Sequence, residues 1–202
     1  MRYDAVVFDL LTALLDSWTL WNDVAGSAED GLRWRRRYLE ITYGCGPYRP
    51  YETLVREAAH DAGLPETLGG QLESRWRELA PWPEASGVLS RLGVPLAVAT
   101  NCSIRLGHQA AARVGVPFAV VATAESVGFY KPRPEPYRAV LAALGTAPDR
   151  TLFVAGSASD VPGAKGVGMA VYWHNRIGLP PQGDARPEYL EPTLDKLGDL
   201  FP

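Results

Sequence analysis

The chain reads as an α/β protein, a parallel sheet covered on both faces and interrupted early by a helical insertion. Three observations predict this. From residue 84 onward, short unbroken runs of Val, Ala, Leu and aromatic residues alternate with helical periodicity, the pattern of strands buried on both faces. A similar run, Tyr3 to Phe8, stands at the N-terminus. Between them, residues 16–83 carry Trp, Arg and Glu at helical spacing and no convincing strand.

Each element follows from local chemistry. Tyr3 to Phe8 is a short apolar run bounded by polar residues. The stretches Leu32 to Glu40, Tyr51 to Ala62 and Glu66 to Leu79 read as helices, with breaks at Gly44 to Pro50 and Ala80 to Pro83. A helix over Glu84 to Leu92 then leads to a strand at Pro95 to Ala99 and a helix around Arg105 to Val114. A strand at Phe118 to Ala122, a helix at Pro134 to Leu144 and a strand at Thr151 to Ala155 follow. Last come a helix at Pro162 to Val167, a strand at Ala170 to Trp173 and a Pro-rich tail ending in a short helix. There are no internal repeats and no low-complexity segment.

With 202 residues, 47% hydrophobic and 21% charged, the chain can bury a sizeable core, as one large domain or a domain with an insertion. A formal net charge of -3 supplies no electrostatic reason to bind nucleic acid or an anionic membrane. Two cysteines, Cys45 and Cys102, cannot form a disulfide framework, so a reducing cytoplasm is the expected location. The first strand begins almost at once, where a signal peptide or a membrane span would need a longer apolar run.

In a parallel sheet, ligands bind beyond the carboxyl ends of the strands. Asp9, Thr100, Asn101 and Ser157 are predicted to stand at that edge. Each has a plain alternative. Asp9 could cap the next turn, Thr100 and Asn101 the helix after Ser103, and Asp160 the helix near Pro162. Lys131 could be a solvated charge, but Pro132 restricts the backbone before it, and the lysine could pair with Asp9 and hold it ionised. A carboxylate, a donor set, a cation and a second carboxylate at strand ends are the parts of a nucleophilic site.

These four patches resemble, in order and placement, the four motifs of the haloacid dehalogenase superfamily, and most nearly its 2-haloacid dehalogenase branch. Trp34 to Thr42 is similar to that branch's cap helix, with Arg35 at the substrate-binding arginine. Lys131 and Tyr137, Trp173-His174-Asn175-Arg176, and Pro187-Glu188-Tyr189 followed by Pro192-Thr193-Leu194 match further segments. The resemblance implies a Rossmann-like core, residues 1–15 and 84–202, with a helical cap at 16–83. It further implies that Asp9 attacks the halogen-bearing carbon of a small 2-substituted carboxylic acid, expelling halide and forming an ester that water hydrolyses to a 2-hydroxy acid. Lys131 would keep Asp9 charged, and Asp160 would position Lys131 or the water. Arg35, Thr100, Asn101, Tyr137 and Ser157 would bind substrate. The partner is then a small carboxylate, and relatives of this cap type are often homodimers.

Departures from the pattern sharpen the reading. Phosphatases of the superfamily carry a second acid two residues after the nucleophile, where this chain has Leu11, and an acidic Mg²⁺ ligand near the end of the Thr151 strand, where it has Ala155. Halide leaves without a proton, so a dehalogenase loses nothing by Leu11, and no cofactor is expected unless the phosphatase alternative holds. The dehalogenase branch has a threonine at the position of Ala13, and a serine and an asparagine at Ala155 and Ser157. Thr12 and Ser157 are candidates to replace the lost hydrogen bonds. A non-catalytic member that binds a ligand or partner is the third reading.

Four further expectations concern single residues. Cys102 is a structural thiol, since no histidine is arranged to activate it. His174 is structural rather than a base. Trp18, Trp21, Trp34, Tyr38 and Trp76 form the interior of the insertion, with one or two walling a pocket. Of the basic cluster Arg33, Arg35, Arg36 and Arg37, only Arg35 is expected to face the cleft.

Overall fold

The computed structural model describes residues 2–201. Six parallel strands form one sheet in the order β3-β2-β1-β4-β5-β6. They are β1 (Ala5–Phe8), β2 (Leu96–Thr100), β3 (Val120–Thr123), β4 (Thr151–Ala155), β5 (Ala170–His174) and β6 (Tyr189–Glu191). The helices of the second half are α5 (Ala85–Leu89), α6 (Ile104–Arg113), α7 (Ala124–Val127), α8 (Pro134–Leu144) and α9 (Asp160–Gly166). The architecture is therefore α/β, as the alternation predicts, and Rossmann-like, as the resemblance implies. No helix among the described residues is long and apolar enough to cross a membrane.

Strand alternation splits the sheet's side chains between two apolar clusters. Val7, Ala97, Phe153, Val171 and Trp173 face α8 and α9, meeting Tyr137, Val140, Leu141, Val161 and Ala164. Val6, Phe8, Val98, Val154 and Tyr172 face the opposite way, in the same cluster as Val88 of α5, Leu106 of α6 and Leu197 near the C-terminus. Both faces being covered explains why the strands read as continuous apolar runs.

Between β1 and α5 lie four further helices: α1 (Ser17–Ala25), α2 (Ala28–Gly44), α3 (Tyr51–Asp61) and α4 (Thr67–Ser74). Asp16 caps α1 by accepting from Thr19 N at 3.1 Å, and Ser27 caps α2 by accepting from Asp30 N at 3.1 Å. Gly26 turns the chain between them in the left-handed region, φ 87°. Helix α2 buries Gly31, Trp34, Arg35, Tyr38 and Thr42, a stripe at i, i+3, i+4 and i+7. Trp34 and Trp21 meet with ring centroids 4.5 Å apart, and Tyr38 packs edge-on against Tyr51 at 5.4 Å. These residues belong to the same continuous cluster as Phe8 and Val98, so the insertion shares its core with one face of the sheet.

The sequence reading departs from the structure in several places, and it names neither α1 nor the short α7. Strand β6 lies in the Pro-rich tail, where only a short terminal helix is expected, and that helix is a 3₁₀ segment, Asp195–Leu200. The stretch Glu66 to Leu79 breaks into α4 and a 3₁₀ turn at Trp76–Glu78. Helix α9 starts at Asp160, two residues before the proline that seemed to open it, since proline is tolerated in a helix's first turn.

Gly31 marks the closest approach of α1 and α2. A Cβ there would lie 2.2 Å from Asn22 Oδ1 and 2.8 Å from Asn22 Cα. Gly31→Ala is expected to lower stability by about 1–3 kcal/mol in urea unfolding. Gly44→Ala, with open space around it, should be neutral or slightly stabilising in the same measurement.

Candidate active site

The sheet register sets the centre of the site. Phe8 pairs with Val98 on one side and Val154 on the other, so β1, β2 and β4 end together. Asp9 follows directly, its N–H donating to Val154 O at 2.9 Å. The loop after β4 closes tightly on the loop after β1. A Cβ at Gly156 would fall 2.3 Å from Ala13 N, so only glycine permits this contact.

Lys131 Nζ lies 2.9 Å from Asp9 Oδ1 and 2.9 Å from Asp160 Oδ2, and all three residues are buried. Burial alone would raise the Asp9 pKa, but the Lys131 ammonium and the Thr12 hydrogen bonds outweigh it and hold it below the usual carboxylate value. Burial would likewise strip the proton from Lys131. The charges of Asp160 and Asp9 reverse that, and its pKa lies above the ordinary lysine value. Asp160 is pushed up by burial, with Lys131 opposing only in part and Asp9 adding to the rise.

The two oxygens of Asp9 are not equivalent. Oδ2 accepts from Thr12 N at 3.0 Å, Thr12 Oγ1 at 2.5 Å and Ala13 N at 3.3 Å. Among the described residues, Oδ1 accepts from Lys131 alone. Asp9 therefore does cap its turn, and one oxygen remains open for chemistry. The turn itself is anchored from behind. Trp82 Nε1 donates to Thr12 O at 3.1 Å, and His174 Nδ1 lies 2.8 Å from Ala13 O. Arg176 Nε donates to His174 Nε2 at 3.1 Å, which places the imidazole proton on Nδ1, and burial keeps the ring neutral. His174 is thus a strut.

Arg35 enters from α2. Its guanidinium stacks over Trp18 at 4.0 Å, and Nη2 donates to Ser17 Oγ at 2.6 Å. Nη1 is buried with no hydrogen-bond partner among the described residues. A buried charged donor left open is costly, and an anion in the cleft would satisfy it. Arg36 lies exposed at the cleft's edge, while Arg33 reaches Asp30 and Ala62 O, and Arg37 reaches Asp61 and Glu40.

The remaining predicted residues separate into two groups. Thr100, Asn101 and Ser157 line the same cleft as Asp9, Lys131, Asp160 and Arg35. Neither Thr100 nor Asn101 caps α6, whose cap is Ser103. Asn101 clamps the lysine backbone instead: Lys131 N donates to its Oδ1 at 2.7 Å, and its Nδ2 donates to Lys131 O at 3.0 Å. The Lys131-Pro132 peptide is cis. Tyr137, expected at the substrate, lies behind Asp160 and does not line the cleft; its hydroxyl donates to Asp160 Oδ1 at 2.7 Å. Asp160 begins α9 and turns its carboxylate to Lys131 and Tyr137 rather than capping the helix.

Other residues at the site went unrecognised in sequence. Tyr43 donates to Ser159 Oγ at 2.5 Å, and Ser159 lies 2.9 Å from Ser157 Oγ, forming a row of hydroxyls along one wall. Tyr43 follows Arg35 and Leu39 at i, i+4 and i+8, a ridge that would have pointed to it. Tyr38 donates to Asn101 O at 3.0 Å. Cys102 is buried with its thiol pushed up to about 12 by burial, the inert thiol expected.

Removing the shared cation should expose the cost of the two acids. Lys131→Met is expected to lose about 3–5 kcal/mol at pH 7, as for other buried pairs broken on one side. With the ammonium gone, burial raises both carboxyl pKa values above their unfolded ones. The variant should therefore gain stability relative to wild type as pH falls from 7 to 5, measured by urea unfolding.

Residues 3–168 match the family described as haloacid dehalogenase-like hydrolase. The chain is 31% identical to (S)-2-haloacid dehalogenase H-109 of Pseudomonas putida, over 87% of each chain. It is 34% identical to phosphoserine phosphatase of Thermus thermophilus, over 77% of this chain and 63% of that one. It superposes on a crystal structure of a dehalogenase with an intermediate complex at a TM-score of 0.86, with 27% identity over 99% and 97% of the two chains. The matched region contains Asp9, Arg35, Asn101, Lys131 and Asp160, and the chain belongs to the haloacid dehalogenase-like hydrolases.

Proposed function

We propose that the protein is a dehalogenase that hydrolyses a small 2-halo carboxylic acid to the 2-hydroxy acid through an ester on Asp9. One observation carries this reading. The Asp9–Lys131–Asp160 bridge and Arg35, whose buried Nη1 has no partner among the described residues, line one cleft, which supports a bound carboxylate held by Arg35 with its neighbouring carbon near an ionised nucleophile. In this reading residues 16–83 act as the cap that supplies Arg35.

The chemistry follows from the hydrogen bonding of Asp9. Oδ1, held only by Lys131, attacks C2; a C–O bond forms as the carbon–halogen bond breaks and halide leaves with its electron pair. Oδ2 then becomes the ester carbonyl oxygen. Water attacks the carbonyl carbon, and negative charge grows on Oδ2, where Thr12 N, Thr12 Oγ1 and Ala13 N already converge. Collapse restores the carboxylate, releasing the 2-hydroxy acid and a proton. Thr12 thus supplies the hydroxyl that Ala13 lacks. Asp160 and Tyr137 orient Lys131, Asn101 holds its backbone, and Thr100 and Ser157 complete the walls.

The donor set does not fit the metal-dependent alternative. A divalent cation would need oxygens from Asp9 and Asp160, which Lys131 already bridges, and the side chains at Leu11, Ala155 and Gly156 add none. Leu11, two residues after Asp9, has no proton to give a leaving alkoxide.

Incubation with (S)-2-bromopropionate and no added metal should release halide, and Asp9→Asn should abolish it. Mg²⁺-dependent phosphate release in place of halide would overturn the reading. Arg35→Ala is expected to raise KM by one to two orders of magnitude, the scale of a lost charged hydrogen bond. Thr12→Val should slow ester hydrolysis by about 10²-fold while sparing its formation. Rapid-quench kinetics would then show a stoichiometric halide burst and an accumulating mass adduct on Asp9.

A further inference from the structure

The buried charged groups of the cleft are Asp9, Arg35, Lys131 and Asp160, and Arg36 lies exposed at its edge. The cleft's volume is about 480 Å³, within the range of roughly 300–1,000 Å³ that encloses drug-sized ligands. An acid of two or three carbons anchored between Arg35 and Asp9 would leave most of that space unfilled. Most of the remaining lining is apolar: Leu32 and Leu39 come from α2, while Ile177, Leu179 and Pro181 come from the segment after β5, with Arg36 and Gln182 beside them.

The mouth carries a second, independent mark. Four large apolar side chains are exposed among the described residues: Leu32, Ile104, Ile177 and Leu190. Two of them, Leu32 at 40% and Ile177 at 45%, belong to this one cleft, one from the insertion and one from the sheet side. Exposed apolar residues grouped at a cavity mouth, rather than scattered singly, mark a binding surface.

We propose that the site takes a 2-substituted carboxylic acid whose third substituent is a hydrocarbon chain of several carbons. The chain would run from C2 outward between Leu32 and Leu39 on one wall and Ile177, Leu179 and Pro181 on the other. This rests on the dehalogenase reading for the identity of the leaving group. It adds the substrate class: medium-chain 2-haloalkanoates in preference to the two- and three-carbon acids.

The test is a chain-length series of racemic 2-bromopropionate, 2-bromobutyrate, 2-bromohexanoate and 2-bromooctanoate. The specificity constant kcat/KM is expected to rise about fourfold per methylene buried, so that bromohexanoate exceeds bromopropionate by tenfold or more. Ile177→Ser should shrink the ratio between those two substrates. A flat or falling series, with halide still released from bromopropionate, overturns the chain-binding assignment and leaves the dehalogenase reading intact. Calorimetric titration of Asp9→Asn with the unhalogenated acids, propionate to octanoate, reads the same preference without turnover. Affinity rising with length supports the assignment even where no halide is released, and affinity independent of length overturns it.

Discussion

The site depends on one ammonium placed between two buried carboxylates. Neither Asp9 nor Asp160 could stay ionised out of water by itself, and Lys131 could not keep its proton there. Lys131 holds Asp9 ionised, both acids hold the proton on Lys131, and each of the three comes from a different part of the chain. Asp9 follows β1, Lys131 precedes α8, and Asp160 opens α9. The aligned ends of β1 and β4 bring the acids near, and the Asn101 clamp brings the lysine. Hydrogen bonds to Tyr137 and Thr12 then divide the roles, leaving one Asp9 oxygen saturated and the other open.

Much of this was legible in the sequence because it rests on patterns with one physical meaning. Apolar strand runs ending in Asp9, Thr100 and Ala155 predict a parallel sheet and the edge where ligands bind. Lys131 before a proline stood out because a charge with a restricted backbone is poorly explained as solvent decoration. Arg35 separated from its neighbours only through the resemblance, since helix periodicity alone leaves several arginines eligible for the cleft.

The remainder was hidden because direction, unlike spacing, is not written locally. Tyr137 lies close to Lys131 as its spacing suggests, but whether it meets the substrate or Asp160 depends on how α8 sits on the sheet. Tyr43 and Ser159 approach only because the C-terminal turn of α2 overhangs the loop after β4, a contact across 116 positions. The tail from Ile177 to Gln182, rich in proline, shows no periodicity to announce that it forms a wall. Strand β6 is three residues long and lies at the sheet's edge, below what alternation can reveal.

The apolar cluster shared by the insertion and the sheet has a consequence for how the chain can be divided. Trp76 of the insertion donates its indole N–H to Leu106 O of α6, and Arg113 of α6 donates to Leu79 O. Excising residues 16–83 would uncover an aromatic-rich surface and orphan those groups, leaving the excised half insoluble rather than a smaller enzyme. The helices over the cleft are thus no detachable module. In protein engineering they cannot be grafted between relatives as a cassette unless the facing side of the sheet travels with them.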